Sequence, residues 1–311
     1  MKRISVICPF FNEEETIAEF FAALLKVITH IPFQVEIVCI NDGSADATLE
    51  LLCFQQKNNV PENVQIKILD LSRNFGKEAA LTAGIDYASG DAVIPIDTDL
   101  QDPPELIVEM LEKWQEGYEV VLATRADRSS DSWLKRNSAD CFYKLHNQIS
   151  TPALPEHTGD FRLLDRCVVD ALKQLPENQR FMKGLFNWVG FKTTQITYTR
   201  VARIEGESKF SAWRLWTLAL DGITSFSTVP LRIWTYLGMV ISMSAFFYGS
   251  FIILRTLIFG VDLPGYASLI VTVLFLGGLQ LIGIGVLGEY IGRIYMEAKH
   301  RPVYLIRKKY E

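Results

Sequence analysis

The chain has 311 residues, enough to bury a sizeable core, and its 31 basic against 36 acidic side chains leave a net charge of −5, which argues against the basic footprint of a nucleic-acid binder. Its five cysteines (Cys8, Cys39, Cys53, Cys141 and Cys167) are odd in number with no Cys-x-x-Cys pair, and its four histidines are scattered, so neither a disulfide framework nor a zinc site is expected. A secretory signal is not expected either, because the first apolar run, Ile4 to Phe11, is short and ends in Asn12-Glu13-Glu14-Glu15.

Taken in chain order, Lys2 to Phe10 reads as a first strand, and the acids that follow open a helix whose dipole they complement. Gln34 to Ile40 is a second, buried strand, closed by Asn41-Asp42-Gly43-Ser44, with helix signals from Asp46. A third strand, Val64 to Leu71, leads into Ser72-Arg73-Asn74-Phe75-Gly76-Lys77 and an alanine-rich helix from Glu78 to Ala88. The fourth begins at Ala92 and ends in Asp97-Thr98-Asp99. Asp102 is placed to N-cap the next helix, with Pro103 at its first position and Glu105 completing a capping-box-like pattern. A fifth strand, Tyr118 to Ala123, ends at Thr124-Arg125. This alternation predicts an α/β fold with a doubly wound, mainly parallel sheet.

Ligands bind such sheets beyond the carboxyl ends of the strands, where Glu13, Asp42, the Asp97/Asp99 pair and Arg125 gather. Read alone, the acid pair is a loop-and-cap pattern, and Glu13 and Asp42 are helix caps. Read together, the acids offer an oxygen-rich seat for a hard divalent cation. No Gly-x-Gly-x-x-Gly follows the first strand and no Walker loop is present, so a metal held on acids is the expected means of neutralising a diphosphate.

The C-terminal third differs in kind. Ile233 to Leu254 is 22 residues without a charge and Tyr266 to Gly288 is 23, each about 33 Å long as a helix against about 30 Å of bilayer hydrocarbon. A membrane-spanning hairpin is therefore expected. Before it, Ser211 to Phe226 carries Trp213, Trp216, Leu220 and Ile223 on one stripe, which fits an interfacial helix or a core helix. Basic residues follow Gly288 (Arg293, Lys299, Arg301, Arg307, Lys308, Lys309), while the connecting loop has Arg255 alone. By this asymmetry the globular domain and both termini are expected in the cytoplasm. Gly277, Gly278, Gly283, Gly285 and Gly288 allow close helix packing, so a homo-oligomer is expected. The expected organisation is a globular domain over 1–210, juxtamembrane helices over 211–232, a hairpin over 233–288 (spans 233–254 and 266–288) and a basic tail over 289–311.

Pro9-Phe10-Phe11-Asn12-Glu13, Asn41-Asp42-Gly43-Ser44 and Asp97-Thr98-Asp99-Leu100-Gln101 resemble the inverting family-2 glycosyltransferases of the GT-A fold. Arg73-Asn74-Phe75-Gly76-Lys77-Glu78, Gly159-Asp160-Phe161-Arg162 and Gly206-Glu207-Ser208-Lys209-Phe210 narrow the resemblance to polyprenyl-phosphate glycosyltransferases, the group of dolichol-phosphate mannose synthase. With the hairpin and Gly288-Glu289-Tyr290-Ile291-Gly292-Arg293, the chain is most similar to the bactoprenol glucosyltransferases.

The resemblance implies that Pro9, Phe11, Glu13, Asp42, Asp97, Thr98, Arg125, Arg203 and Lys209 bind the nucleotide-sugar donor. Phe11 departs from the tyrosine common at its position, which removes a hydroxyl and keeps the stacking face. Asp97, Asp99 and Gln101 match the ligands of Mg²⁺ or Mn²⁺, both of which take oxygen donors. Asp99 thereby counts with Asp160 as catalytic, and Arg136 matches the acceptor-phosphate arginine. Asp160 matches the family's general base. A phosphate monoester, however, has a second pKa of about 6, so the acceptor is already mostly a dianion at neutral pH and Asp160 is expected mainly to orient it.

The implied reaction moves glucose from UDP-glucose to undecaprenyl phosphate, with inversion, on the cytoplasmic leaflet of a bacterial inner membrane, for modification of surface polysaccharide such as O-antigen. The implied partners are the donor, the polyprenyl phosphate, the membrane and further copies of the chain in a tetramer. Alternatives are a UDP-aminoarabinose derivative or GDP-mannose as donor, or a non-catalytic scaffold or translocator of the lipid carrier.

Overall fold

A computed structural model describes residues 2–58, 60–125, 158–178, 180, 182–198, 228–260 and 265–311. The chain divides into two compact units, Met1–Gly222 with Arg301–Glu311, and Ile223–His300.

The first unit is built on an eight-stranded sheet, ordered β7-β5-β6-β4-β1-β2-β3-β8. In chain order the strands are β1 (Arg3–Phe10), β2 (Gln34–Asn41), β3 (Val64–Leu71), β4 (Ala92–Pro95), β5 (Val120–Arg125), β6 (Thr158–Asp165), β7 (Thr193–Tyr198) and β8 (Ile306–Tyr310). The helices of this unit are α1 (Ile17–Ile28), α2 (Thr48–Lys57), α3 (Lys77–Tyr87), α4 (Leu106–Gln115), α5 (Arg166–Lys173) and α6 (Met182–Trp188). β4, β1, β2 and β3 are parallel neighbours, whereas β6 runs antiparallel to β4 and β5, and β8 antiparallel to β3. The expected mainly parallel, doubly wound sheet is present. Chain order reverses on either side of β1, which creates a topological switch point between β1 and β4, the usual ligand crevice of such sheets.

β1 and β2 are covered on both faces and accordingly read as near-continuous apolar runs. Phe10 packs against Phe20 and Phe21 of α1, with ring centroids 5.8 and 6.4 Å away. On α3 a Cβ at Gly84 would stand 2.2 Å from Ile7 Cγ2, so this helix reaches the sheet because that position has no side chain.

At the amino end of the sheet the Glu36 side chain is 1% exposed and fully employed. It accepts from Ser5 Oγ, Lys67 Nζ, Ser89 N, Ser89 Oγ and Gly90 N, which ties β1, β2, β3 and the α3–β4 turn together. Burial would push this carboxyl up, but Lys67, Ser5 and Ser89 together hold it at about 2.

Two sequence expectations change. Asp102 does not cap α4. It is buried and accepts a hydrogen bond from the Tyr198 hydroxyl of β7, while turns closed by Leu106 N to Pro103 O and Ile107 N to Pro104 O delay the helix to Leu106. The basic tail is in part a strand. Ile306 to Tyr310 pair with β3, Ser72 N donates to Leu305 O, and Arg307 makes a two-pronged contact with buried Asp70 at 2.7 and 3.0 Å.

The second unit holds α7 (Val229–Phe259, 31 residues) and α8 (Tyr266–Ala298, 33 residues). Each outruns its expected span. Leu231–Phe259 and Phe275–Ala298, of mean hydropathy 1.9 and 1.4, are long and apolar enough to cross a membrane, and no described residue of their most apolar stretches is buried within the chain. A Cβ at Gly283 would lie 3.3 Å from the Trp234 ring, whereas one at Gly277, Gly278, Gly285 or Gly288 would meet nothing within 4 Å among the described residues.

Candidate active site

The carboxyl ends of β1 and β4 lie side by side, with Ile7 level with Pro95 and Ile96 N donating to Ile7 O. The chain therefore sets Asp97 beside Pro9 at the switch point. From the next strand over, β6, comes Asp160. One ammonium joins the two acids: Lys77 Nζ, on the first residue of α3, is 2.7 Å from Asp97 Oδ1 and 2.7 Å from Asp160 Oδ2. The second oxygen of Asp160, Oδ1, is buried with no hydrogen-bond partner among the described residues.

Charge around Asp160 is unusually dense. Burial alone would push its carboxyl up, but the ammonium groups of Lys77 and Lys183 and the Arg162 guanidinium hold it well below the usual carboxylate range. Arg162 also fixes its backbone, donating to Gly159 O and Asp160 O while lying 4.3 Å over the Phe186 ring. Asp97 goes the other way: burial raises it, the charges of Asp160 and Asp99 add to this, and Lys77 offsets only part. Beside them Glu78 accepts from Met182 N at 3.0 Å. Burial, and then the charge of Asp160, push its carboxyl up to about 7.

Asp99 curls back so that Oδ1 accepts from Gln101 N at 3.2 Å. Between them Leu100 has φ 53°, a left-handed conformation that a leucine adopts only under constraint and that recurs at functional sites. Thr98 and Gln101 are buried. Asp97, Asp99 and the Gln101 side-chain oxygen are hard donors of the kind Mg²⁺ and Mn²⁺ take, and the orphaned oxygen of Asp160 is a further acceptor nearby. Among the described residues no three His, Cys, Asp or Glu side chains converge as a metal-holding group. A cation seated here would thus complete its sphere with diphosphate oxygens and water, and in that sense the donor set fits.

The neighbouring loops form the other wall. Asn12 N donates to Ser44 Oγ, Ala45 N to Asn12 Oδ1 and Glu13 N to Thr48 Oγ1, stitching the β1–α1 loop to the β2–α2 loop. Glu13 itself accepts from the Thr16 hydroxyl. Phe11 stays 42% exposed, so its ring offers an open stacking face. Asp42 accepts from Phe75 N at 2.7 Å and Gly76 N at 2.9 Å, and burial, stronger than these contacts, raises its carboxyl. In this structure it clasps the loop that delivers Lys77. Gly43, at φ 65°, lies so near that loop that a Cβ would be 2.4 Å from Arg73 C. Only glycine satisfies both constraints.

A family model described as Glycosyl transferase family 2 matches residues 5–173. The chain belongs to this family. It is 55% identical over 310 residues to the bactoprenol glucosyl transferase of Shigella phage SfV, covering 99% of each chain. It is 54% identical over 309 residues to a prophage bactoprenol glucosyl transferase homolog of Escherichia coli K12, covering 98% of this chain and 99% of that one. An uncharacterized glycosyltransferase of Synechocystis is 55% identical over 305 residues, covering 97% and 94%.

As a family-2 glycosyltransferase the chain is an enzyme of sugar transfer, and the structure brings Pro9, Phe11, Glu13, Asp42, Asp97, Thr98, Asp99, Gln101 and Asp160 to one edge of its sheet. Arg125 ends β5 at the same carboxyl edge. Arg136, Arg203, Lys209 and the stripe from Ser211 to Phe226 lie outside the described residues. Sequence reasoning quoted Lys77 and Glu78 without assigning them a role. A signal was present: a lysine opening a helix opposes the helix dipole, and such a local misfit points to a partner from elsewhere in the fold.

Proposed function

We propose that the chain transfers glucose from UDP-glucose to undecaprenyl phosphate, with inversion, at the cytoplasmic leaflet of a bacterial inner membrane. The observation that carries the sugar-transfer chemistry is the convergence of Asp97 and Asp160 at the switch point. The lipid acceptor rests on the names of the relatives at 54–55% identity and on the two long apolar helices.

The uracil stacks on the open face of Phe11, with Pro9, Glu13 and Asp42 lining the nucleotide pocket. Arg125, Arg203 and Lys209 meet the donor phosphates, and Arg suits the bidentate contact while Lys acts as a movable charge. Thr98 lies between the acids on the donor side. Asp97, Asp99 and Gln101 hold Mg²⁺ or Mn²⁺, which, when bound, supplies positive charge to the departing diphosphate. Arg136 holds the acceptor phosphate. Asp160, kept ionised by its cationic neighbours, orients the acceptor or a sugar hydroxyl. Lys77 fixes that carboxylate and the charges of Lys183 and Arg162 favour its ionised form, so that positioning and charge stabilisation supply the main part of the rate. Direct attack on carbon one turns an α-linked donor into a β-linked lipid phosphate sugar.

The topology supports a hairpin. β7 precedes the apolar helices and β8 follows them, and both belong to one sheet, so a chain that enters the bilayer must return to the same side. The basic residues beyond Gly288 favour the cytoplasm as that side. Assembly into a tetramer, with the open glycine positions of α8 available for helix contacts, completes the reading.

Detergent-solubilised full-length protein, given undecaprenyl phosphate, Mg²⁺ and a panel of radiolabelled UDP-glucose, a UDP-aminoarabinose derivative and GDP-mannose, tests this. Label from UDP-glucose in the organic phase is expected. Label from a different donor alone would overturn the sugar assignment, and no label from any donor would favour a scaffold or translocator.

A further inference from the structure

The Lys77 side chain sits where a cation is needed. It bridges carboxylates delivered by β4 and β6 at 2.7 Å each, while 43% of its own side chain is exposed. Without a cation between them the two carboxylates would repel each other, and an ammonium is a compact point charge on a flexible stem. Its two partners are not equivalent. Asp160 is also under the charges of Lys183 and Arg162, whereas Asp97 lies beside Asp99 and Gln101 in the Asp-Thr-Asp-Leu-Gln turn.

We propose that Lys77 is a built-in counter-ion for this acid pair. Its ammonium holds Asp97 while no donor is bound, yields Asp97 to the divalent cation that arrives with the diphosphate, and keeps Asp160. The inference rests on the assignment of Asp97, Asp99 and Gln101 as cation ligands made above, and it adds a regulatory element to that site. Lys77 raises the threshold for cation binding until diphosphate oxygens are present to complete the coordination. The acid pair is thereby kept from filling with adventitious metal. After the exchange Lys77 still fixes the ionised Asp160, which makes it a positioning residue for the carboxylate that orients the acceptor.

The test is Mn²⁺ binding to the full-length protein in detergent, read as loss of the free-ion signal in electron paramagnetic resonance, with and without UDP. Without UDP, Lys77→Met is expected to bind Mn²⁺ about tenfold more tightly than the parent protein, the order of effect of removing one competing charge at a partly exposed site. The double variant Lys77→Met/Asp97→Asn should lose that gain. Melting temperatures of both variants establish that they are folded. Equal or weaker Mn²⁺ binding by Lys77→Met overturns the counter-ion role while leaving the metal assignment in place. No Mn²⁺ binding by the parent protein even with UDP overturns the metal assignment and this inference with it.

Discussion

Two clusters of acids and lysine lie at opposite edges of the same sheet. At the amino end, Glu36 meets Lys67 at 2.8 Å and takes further hydrogen bonds from Ser5, Ser89 and Gly90. At the carboxyl end, Asp97 and Asp160 share Lys77, and one oxygen of Asp160 is buried with nothing to accept from among the described residues. The ingredients are alike, yet one network is closed and the other open. A closed network spends its polar groups on neighbouring strands and stabilises the fold. An open one keeps unsatisfied acceptors and competing charges, a combination that favours a ligand over the free state.

Breaking the open cluster should hurt chemistry more than the fold. Asp97→Asn is expected to lower sugar transfer on the order of 10³-fold, with a melting temperature no lower than that of the parent, as measured by label transfer and thermal unfolding. A drop under about tenfold would place Asp97 outside the charge-stabilising set. Asp160→Asn should lower transfer by about 10²-fold, and the deficit should stay constant from about pH 5.5 to 8.5 if the residue orients an acceptor phosphate that is already ionised. A deficit that vanishes at the high end of that range would make proton removal its main task.

Breaking the closed cluster should do the reverse. A carboxyl held at about 2 against an ordinary 4.5 corresponds to about 3 kcal/mol of stability, so Glu36→Gln is expected to lower the melting temperature by roughly 6–12 °C while UDP binding persists in the cold. Because the folded state depresses this group, its contribution is complete above pH 4.5 and is lost as pH falls toward 2. Glu78 titrates in the opposite sense. Its carboxyl is raised to about 7 in the fold, so the folded state binds the extra proton and stability declines as pH rises from 4.5 through 7. Glu78→Gln should remove that decline, for a gain of about 1–2 kcal/mol at pH 8 after discounting for partial exposure. Thermal scans at about pH 3, 5 and 8 check both acids, Glu36 between the first two and Glu78 between the last two. The smallest effect belongs to the far edge of the sheet, where Arg307→Ala should lower the melting temperature by less than Glu36→Gln does, since Asp70 keeps its contact from Asn41.

β1, β2 and β4 were legible because each is buried on both faces and reads as an apolar run closed by polar residues, and β3 because its buried positions alternate with Gln65 and Lys67 before an apolar end. The acid pair was legible because it follows such a run directly. β6 was not, since Thr158-Gly159-Asp160-Phe161-Arg162 mixes a glycine and two charges into a strand whose pairing with β4 and β5 is decided by distant segments. β8 was hidden for another reason. Ile306-Arg307-Lys308-Lys309-Tyr310 looks like a solvated tail, yet charged residues are what an exposed edge strand carries to discourage further pairing. The role of Lys77 was out of reach of local reading because its partners lie 20 and 83 residues further along the chain. Asp102 misled for the same reason, its partner Tyr198 lying 96 residues away.

The return of the chain from α8 into β8 has a practical corollary. The apolar pair is spliced into the catalytic unit between two of its strands and is no detachable appendage. Cutting the polypeptide after β7 to obtain a water-soluble fragment would discard Ile306 to Tyr310 and strip the cover from β3, leaving Asp70 without its guanidinium and a bare row of amides ready to recruit another molecule. A fragment that keeps residues 301–311, rejoined through a flexible linker in place of the excised hairpin, should stay dispersed where the simple truncation clumps.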